Sequence, residues 1–236
     1  MSRGSFAKID REVSVAAENG AWRVMLNGKP AKTPGGALLA LPSHALAKAV
    51  ADEWRGQGAR IEPTQMKLTG LAGAALDLSP QRRDEVVAHV LAFGRCDLLC
   101  YRAEASPELG QRQAEAWDPL LAWLSSAIGA KLLTGQGIAF VRQPPEALVA
   151  LETAVREFGN FKLAALQVSS ALSGSLVLAL ALDRGHLYAQ QVFDAAYIDE
   201  MFQAEKWGTD AEAEGRRAQL LAELETVERF LRLIGR

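Results

Sequence analysis

Val13-Ser-Val-Ala-Ala-Glu-Asn-Gly-Ala-Trp-Arg-Val-Met-Leu-Asn-Gly28 sets the character of the first third of the chain. Val13 and Val15 alternate with polar or small residues up to Asn19-Gly20. Trp22, Val24 and Leu26 then resume the alternation up to Asn27-Gly28. Period-two runs bounded by Asn-Gly read as hairpin strands, because both central positions of a type I′ turn need positive φ. A β-meander is therefore expected, with a further strand over 37–41. Ser43 then caps a helix that runs through Leu46, Val50 and Trp54 to a stop at Gly56-Gln57-Gly58.

Further along, the punctuation changes. Ser79-Pro80 and Ser106-Pro107 each place a capping hydroxyl before a proline suited to the first helical position. From Ser79 onward the expected elements are mostly helices, over 80–95, 107–128, 145–158, 161–182, 187–206 and 210–234. The stretch 131–141, around Gly135 and Gly137, reads as a hairpin or a loop strand that pairs with Leu98 to Arg102. Thr209 and Glu212 form a capping box for the last helix, and Leu220, Leu224, Val227, Leu231 and Ile234 give it one apolar stripe. The fold class is thus α+β, with a β-rich N-terminal domain over 1–78 holding a mixed sheet and a helix, and an all-α C-terminal domain over 79–236.

The 236 residues are 49% hydrophobic and 23% charged, which fits a globular chain with a substantial core. A net charge of -2 gives no general pull toward nucleic acid or an anionic membrane. The first ten residues lack the apolar run of a secretory signal and do not read as a transit peptide. Cys96 and Cys100 lie too close in sequence for a disulfide scaffold and suit a reducing compartment. A cytoplasmic protein is expected. Leu163 to Leu182 carries no charge and is long enough to span a bilayer at ~1.5 Å per residue. Its serines, Gln167 and Gly174 instead mark a buried helix that neighbours approach closely.

The familiar chemical motifs are missing. There is no Walker loop, and Gly135-Gln136-Gly137 lacks the third glycine of a dinucleotide turn. His89 and Cys96 would be about 10 Å apart along a helix, too far to share a metal. Both cysteines read as small buried side chains. The three histidines sit in no nucleophile context. No catalytic residue, cofactor or metal is expected. The enzyme reading left open is a carboxylate-dependent hydrolase with a cleft between the two domains, and a further rival is an interaction module of another complex.

One segment stands out by charge. Residues 194–214 hold seven acids against one base, Lys206. Projected at ~100° per residue, Phe193, Tyr197, Ile198, Met201 and Phe202 share a broad apolar face, with Asp199, Glu200 and Gln203 opposite. Glu205 projects from the apolar side, so it either frays outward or is partly buried against a partner. Trp207 falls toward the polar side before Gly208. A tryptophan among acids has the composition of a protein-binding anchor, although it also fits a ring folded back on its own core.

Trp22-Arg-Val-Met-Leu-Asn-Gly-Lys-Pro-Ala-Lys-Thr-Pro34, Leu41-Pro42, Glu53-Trp54, Ile61-Glu-Pro63, Met66-Lys-Leu-Thr69, Asp97-Leu-Leu-Cys-Tyr-Arg102, Gln113, Trp117-Asp-Pro-Leu-Leu121, Gly174-Ser-Leu176, Asp199-Glu200 and Glu205-Lys-Trp-Gly208 follow one another in order across nearly the whole chain. Together they resemble the mitochondrial and α-proteobacterial assembly chaperones of the F-type ATP synthase. The resemblance implies a non-enzymatic protein that holds the free α subunit until it pairs with β. It also implies the same two-part fold, a cytoplasmic setting in bacteria and a mitochondrial matrix setting for eukaryotic relatives. The free protein is expected to be monomeric. Joined to the acidic cluster, the resemblance points to Asp199, Glu200, Gln203, Glu205 and Trp207 as partner-binding residues. Trp117 and Asp118 are weaker candidates, since Trp117-Asp118-Pro119 also reads as core packing with a local turn.

Overall fold

The computed structural model describes residues 12–58 and 60–235, so the reading of the first ten residues lies outside it. β1 (Val13–Glu18) and β2 (Ala21–Leu26) form the expected hairpin, with Val15 opposite Val24. Asn19 and Gly20 have φ of 51° and 77°, and Asn27 and Gly28 have 50° and 74°, the paired positive values that a type I′ turn demands. β3 (Lys29–Pro30) pairs with the end of β2, and β4 (Ala40–Leu41) pairs with its start. The strand expected over 37–41 is thus short, with Leu38 in an isolated bridge to Lys32. Every pairing in this four-stranded sheet is antiparallel.

Helix α1 (His44–Arg55) covers the sheet, and Ser43 Oγ accepts from Leu46 N as expected. A 3-10 turn (Pro63–Gln65) and α2 (Lys67–Leu76) follow, a helix the sequence pattern does not announce. Its N-cap, Met66, has no capping side chain. Glu53 on α1 supplies the acceptors instead, taking Leu68 N, Thr69 N and Thr69 Oγ1 at 2.8, 2.8 and 2.7 Å. A carboxylate against free N–H groups is favoured by the helix dipole as well as by the bonds.

The helical remainder comprises α3 (Pro80–Arg95), α4 (Pro107–Ile128), α5 (Pro145–Arg156), α6 (Asn160–Ser173), α7 (Leu176–Asp183), α8 (Ala189–Ala196), α9 (Ile198–Trp207) and α10 (Ala211–Ile234). β5 (Tyr101–Arg102) and β6 (Gly135–Gln136) join them as the expected pairing, and it is parallel. Two expected long helices are broken. The helix over 161–182 divides at Gly174, whose φ of 66° ends α6, and Ser175 then caps α7. Asp97, 0% exposed, holds the break by accepting from Ser175 Oγ, Val177 N and Leu99 N. Burial pushes the Asp97 carboxyl up to about 6 against those donors. The helix over 187–206 divides at Tyr197, whose hydroxyl donates to Leu172 O at 2.6 Å.

All eight residues of α7 are buried, so it is the central helix. Around it the core is continuous from Val13 and Val24 of the sheet to Phe230 and Leu231 of α10. α2 packs on α6, and α10 on α1, α6 and α8. Ser43 Oγ also donates to Leu233 O, tying the start of α1 to the end of the chain. The buried-helix reading of 163–182 holds in the form of two helices, and no helix among the described residues is long and apolar enough to cross a membrane. Two smaller corrections follow. Asp210, not Thr209, caps α10 by accepting from Ala213 N, while Thr209 Oγ1 donates to Glu214. Cys100 is buried, but Cys96 is exposed because it lies past the end of α3.

Candidate partner-binding surface

Since Tyr197 interrupts the helix, α9 has its own orientation. Phe202 is its buried anchor, whereas Met201 is 40% exposed although the single-helix projection placed it on the apolar face. The Phe202 ring lies under two cations, with Lys206 Nζ 4.2 Å and the Arg112 guanidinium 5.1 Å from its centroid. Both cations also pair with acids. Arg112 reaches Glu205 at 2.7 Å and Glu108 at 3.3 Å, and Lys206 reaches Glu108 at 2.9 Å. These four side chains form a clasp between α4 and α9 over the ring. The Lys206 hydrogen bond holds the Glu108 carboxyl below its usual range, and Glu205 holds Arg112 above its own. Glu108, Glu205 and Lys206 are exposed and Arg112 is half-buried, so the clasp orients α9 more than it stabilises the fold.

Of the two positions left open for Glu205, the structure shows the outward one, with Arg112 as its partner. Asp199 is half-buried, not opposite the core as projected, and accepts from Gln113 Nε2 at 2.7 Å. Other acids of the cluster have local duties: Asp194 accepts from Gln190, and Asp210 and Glu214 serve the start of α10. Glu200 and Gln203 are exposed, and Glu200 forms no ion pair among the described residues. Trp207 is 77% exposed at the end of the helix, before Gly208. The structure therefore brings Glu200, Gln203, Glu205 and Trp207 together on one short helix, with Met201 beside them.

Trp117 is elsewhere in character. It is 1% exposed, donates its indole N–H to Ala195 O at 2.8 Å, and lies 4.9 Å beneath the Arg102 guanidinium. Its position is that of the core-packing alternative, and it presents no surface to a partner. Asp118 is exposed and pairs with Arg102 at 2.6 Å. The residues that sequence reasoning passed over are Glu108 and Arg112. Their spacing of four on an amphipathic helix signalled a local pair, but not that α9 would complete it.

No group of three or more His, Cys, Asp or Glu is placed to hold a metal among the described residues. The sequence profile of the ATP12 chaperone protein family matches residues 8–125, half of the chain. The crystal structure of Atp12 from Paracoccus denitrificans superposes with a TM-score of 0.88 at 40% identity, covering 94% of this chain and 95% of that one. The chain belongs to the ATP12 chaperone family. This is the ATP synthase assembly family that its motifs resemble, and it makes the chain a chaperone and not a hydrolase. Other members and likenesses agree. A crystal structure of an Agrobacterium tumefaciens protein gives a TM-score of 0.89 at 35% identity over 96% of this chain and 85% of that one. Protein atp12, mitochondrial, of Schizosaccharomyces pombe is 24% identical over 217 residues, 87% of this chain and 75% of the relative. The α+β class expected from sequence is the fold shared with the Atp12 structures.

Proposed function

We propose that this chain binds the free α subunit of the F-type ATP synthase through the exposed side of α9 and shields it until it pairs with β. Trp207 carries the reading: it is 77% exposed at the end of a helix fastened to the core, and that helix also exposes Glu200, Met201, Gln203 and Glu205. Large exposed aromatic side chains are costly to leave in water and are the usual anchors of protein interfaces. An unpartnered subunit with a large obligate interface exposes apolar surface that aggregates unless covered. Contacts built from a few apolar anchors inside an acidic rim cover that surface yet exchange readily, because the charged rim works mainly through encounter and specificity.

Asp199 belongs to the same proposal as the residue that positions the first turn of α9, and Asp118 as an outlying acid on α4. The free chaperone is a monomer in the bacterial cytoplasm, while the fission yeast relative is mitochondrial by name. Affinity purification of the tagged chain from its native host tests the reading. Recovery of the α subunit in stoichiometric amounts is expected. Consistent recovery of an unrelated complex without α contradicts it.

A further inference from the structure

A cavity of about 630 Å³ opens between the sheet edge, α1, α2, α3 and α6, a volume in the range of about 300–1,000 Å³ typical of ligand sites. Its walls are mainly apolar, with Trp54, Ile61, Met66 and Val86 among them, and Ile61 is 38% exposed. Several motifs that the α9 surface leaves unused converge here: Lys32-Thr33-Pro34, Glu53-Trp54, Ile61 to Pro63 and Met66 to Thr69. Glu53 and Asp77 explain part of that convergence as architecture. Glu53 caps α2, and Asp77 accepts from Thr33 Oγ1 and Gly35 N. The rest is not needed for capping.

The charge at the wall concerns an occupant. Lys32 and Arg82 stand exposed at the wall, and neither forms an ion pair among the described residues. Asp77, the one acid in the lining, has both oxygens engaged by Thr33 and Gly35. The cavity therefore combines an apolar interior with cations at its wall, which is complementary to an apolar side chain carried next to a carboxylate.

We propose that this cavity is a second client-docking site, which takes an apolar side chain from a protein segment bearing an adjacent Asp or Glu. The inference rests on the chaperone reading above and gives the N-terminal part of the chain a share in client binding. Two anchored contacts, one on α9 and one in the cavity, raise the hold on an unfolded or unpaired client without a single very tight interface.

Gly70 and Ala74 supply the means to fill the cavity. They lie one turn apart on α2, both line it, and a Cβ added at Gly70 meets nothing within 4 Å. Gly70→Leu has room at its Cβ and improves helix propensity, and Ala74→Leu lengthens an exposed side chain that already lines the space, so both variants fill it. The test measures binding of the full chain to labelled peptides of defined sequence, a Leu or Phe flanked by Asp or Glu, with Lys-flanked controls. The wild type is expected to prefer the acidic set. Each filling variant is expected to weaken it at least tenfold with an unchanged melting temperature, and Lys32→Glu with Arg82→Glu to abolish the preference. Equal peptide binding by filled and wild-type chains overturns the proposal, as does binding of neither peptide set. A wild-type dimer that filling dissociates, without any peptide effect, places a second copy in the cavity and overturns it too. Capture of intact α subunit, measured in parallel, reports separately on the α9 reading.

Discussion

Gln113 bolts the first turn of α9 to the core through Asp199. The amide, 1% exposed, donates through Nε2 to Asp199 Oδ1 at 2.7 Å and accepts through Oε1 from Ala103 N at 2.7 Å. Both functions of one side chain are spent, so the position of α9 depends on a residue buried in the core. Gln113→Leu keeps the volume but leaves the half-buried Ala103 N–H and Asp199 carboxylate without this partner, at up to about 1–3 kcal/mol each. At roughly 2–4 °C per kcal/mol for a chain of this size, calorimetry should show a fall of several degrees. A shift under about 1 °C contradicts the bolt.

Glu53 on α1 and the start of α2 form a second such tie, across fifteen residues. Glu53→Ala removes three hydrogen bonds at once and should cost more than the roughly 0.5–2 kcal/mol of an ordinary cap. The loss should be local, so native-state hydrogen exchange is the measurement. Amides of α2 should exchange faster than those of α7, and uniform acceleration across both helices would show that the cap acts globally.

Asp97 predicts a particular pH dependence. Its folded carboxyl titrates at about 6, above the usual 3.8. The folded state therefore holds a proton more tightly than the unfolded chain, so this group's contribution is fully present below about pH 4 and is lost as pH rises through 6. Two units correspond to about 3 kcal/mol. Asp97→Asn removes the titration, so the melting-temperature advantage of wild type over variant should shrink by about 5–10 °C between pH 4 and pH 7.5. Parallel curves for the two proteins are the contrary result.

The local ties in these predictions were legible to different degrees. Asn19-Gly20, Ser43, Ser79 and Ser106 act on their own neighbours, so the hairpin and the starts of α1, α3 and α4 can be read directly. Helix α2 could not be read that way, since Met66 offers no cap, Gly70 and Gly73 lower its propensity, and its capping carboxylate comes from another helix. The break at Gly174 has a partial local signal in Gly-Ser, yet its decisive acceptor is Asp97. Nor does a helical projection reveal that Tyr197 reaches Leu172 and restarts the helix, which is why Asp199 and Met201 were placed on the wrong faces. Trp207 projected outward, as it lies, because it is in the last turn before Gly208. Trp117 and Trp207 both stand near acids in sequence. Only packing separates one that is 1% exposed from one that is 77% exposed.

The central claim is that α9 receives the client, and co-expression of isolated ATP synthase α subunit tests it most directly. Glu200 and Trp207 are exposed, and Glu200 makes no ion pair among the described residues, so Glu200→Lys and Trp207→Ala should shift the melting temperature by no more than about 1 °C. Measured as α subunit kept in the soluble fraction, the wild-type chain should protect it, and each variant should lose most of that protection while remaining folded. Equal protection by wild type and both folded variants would contradict the account.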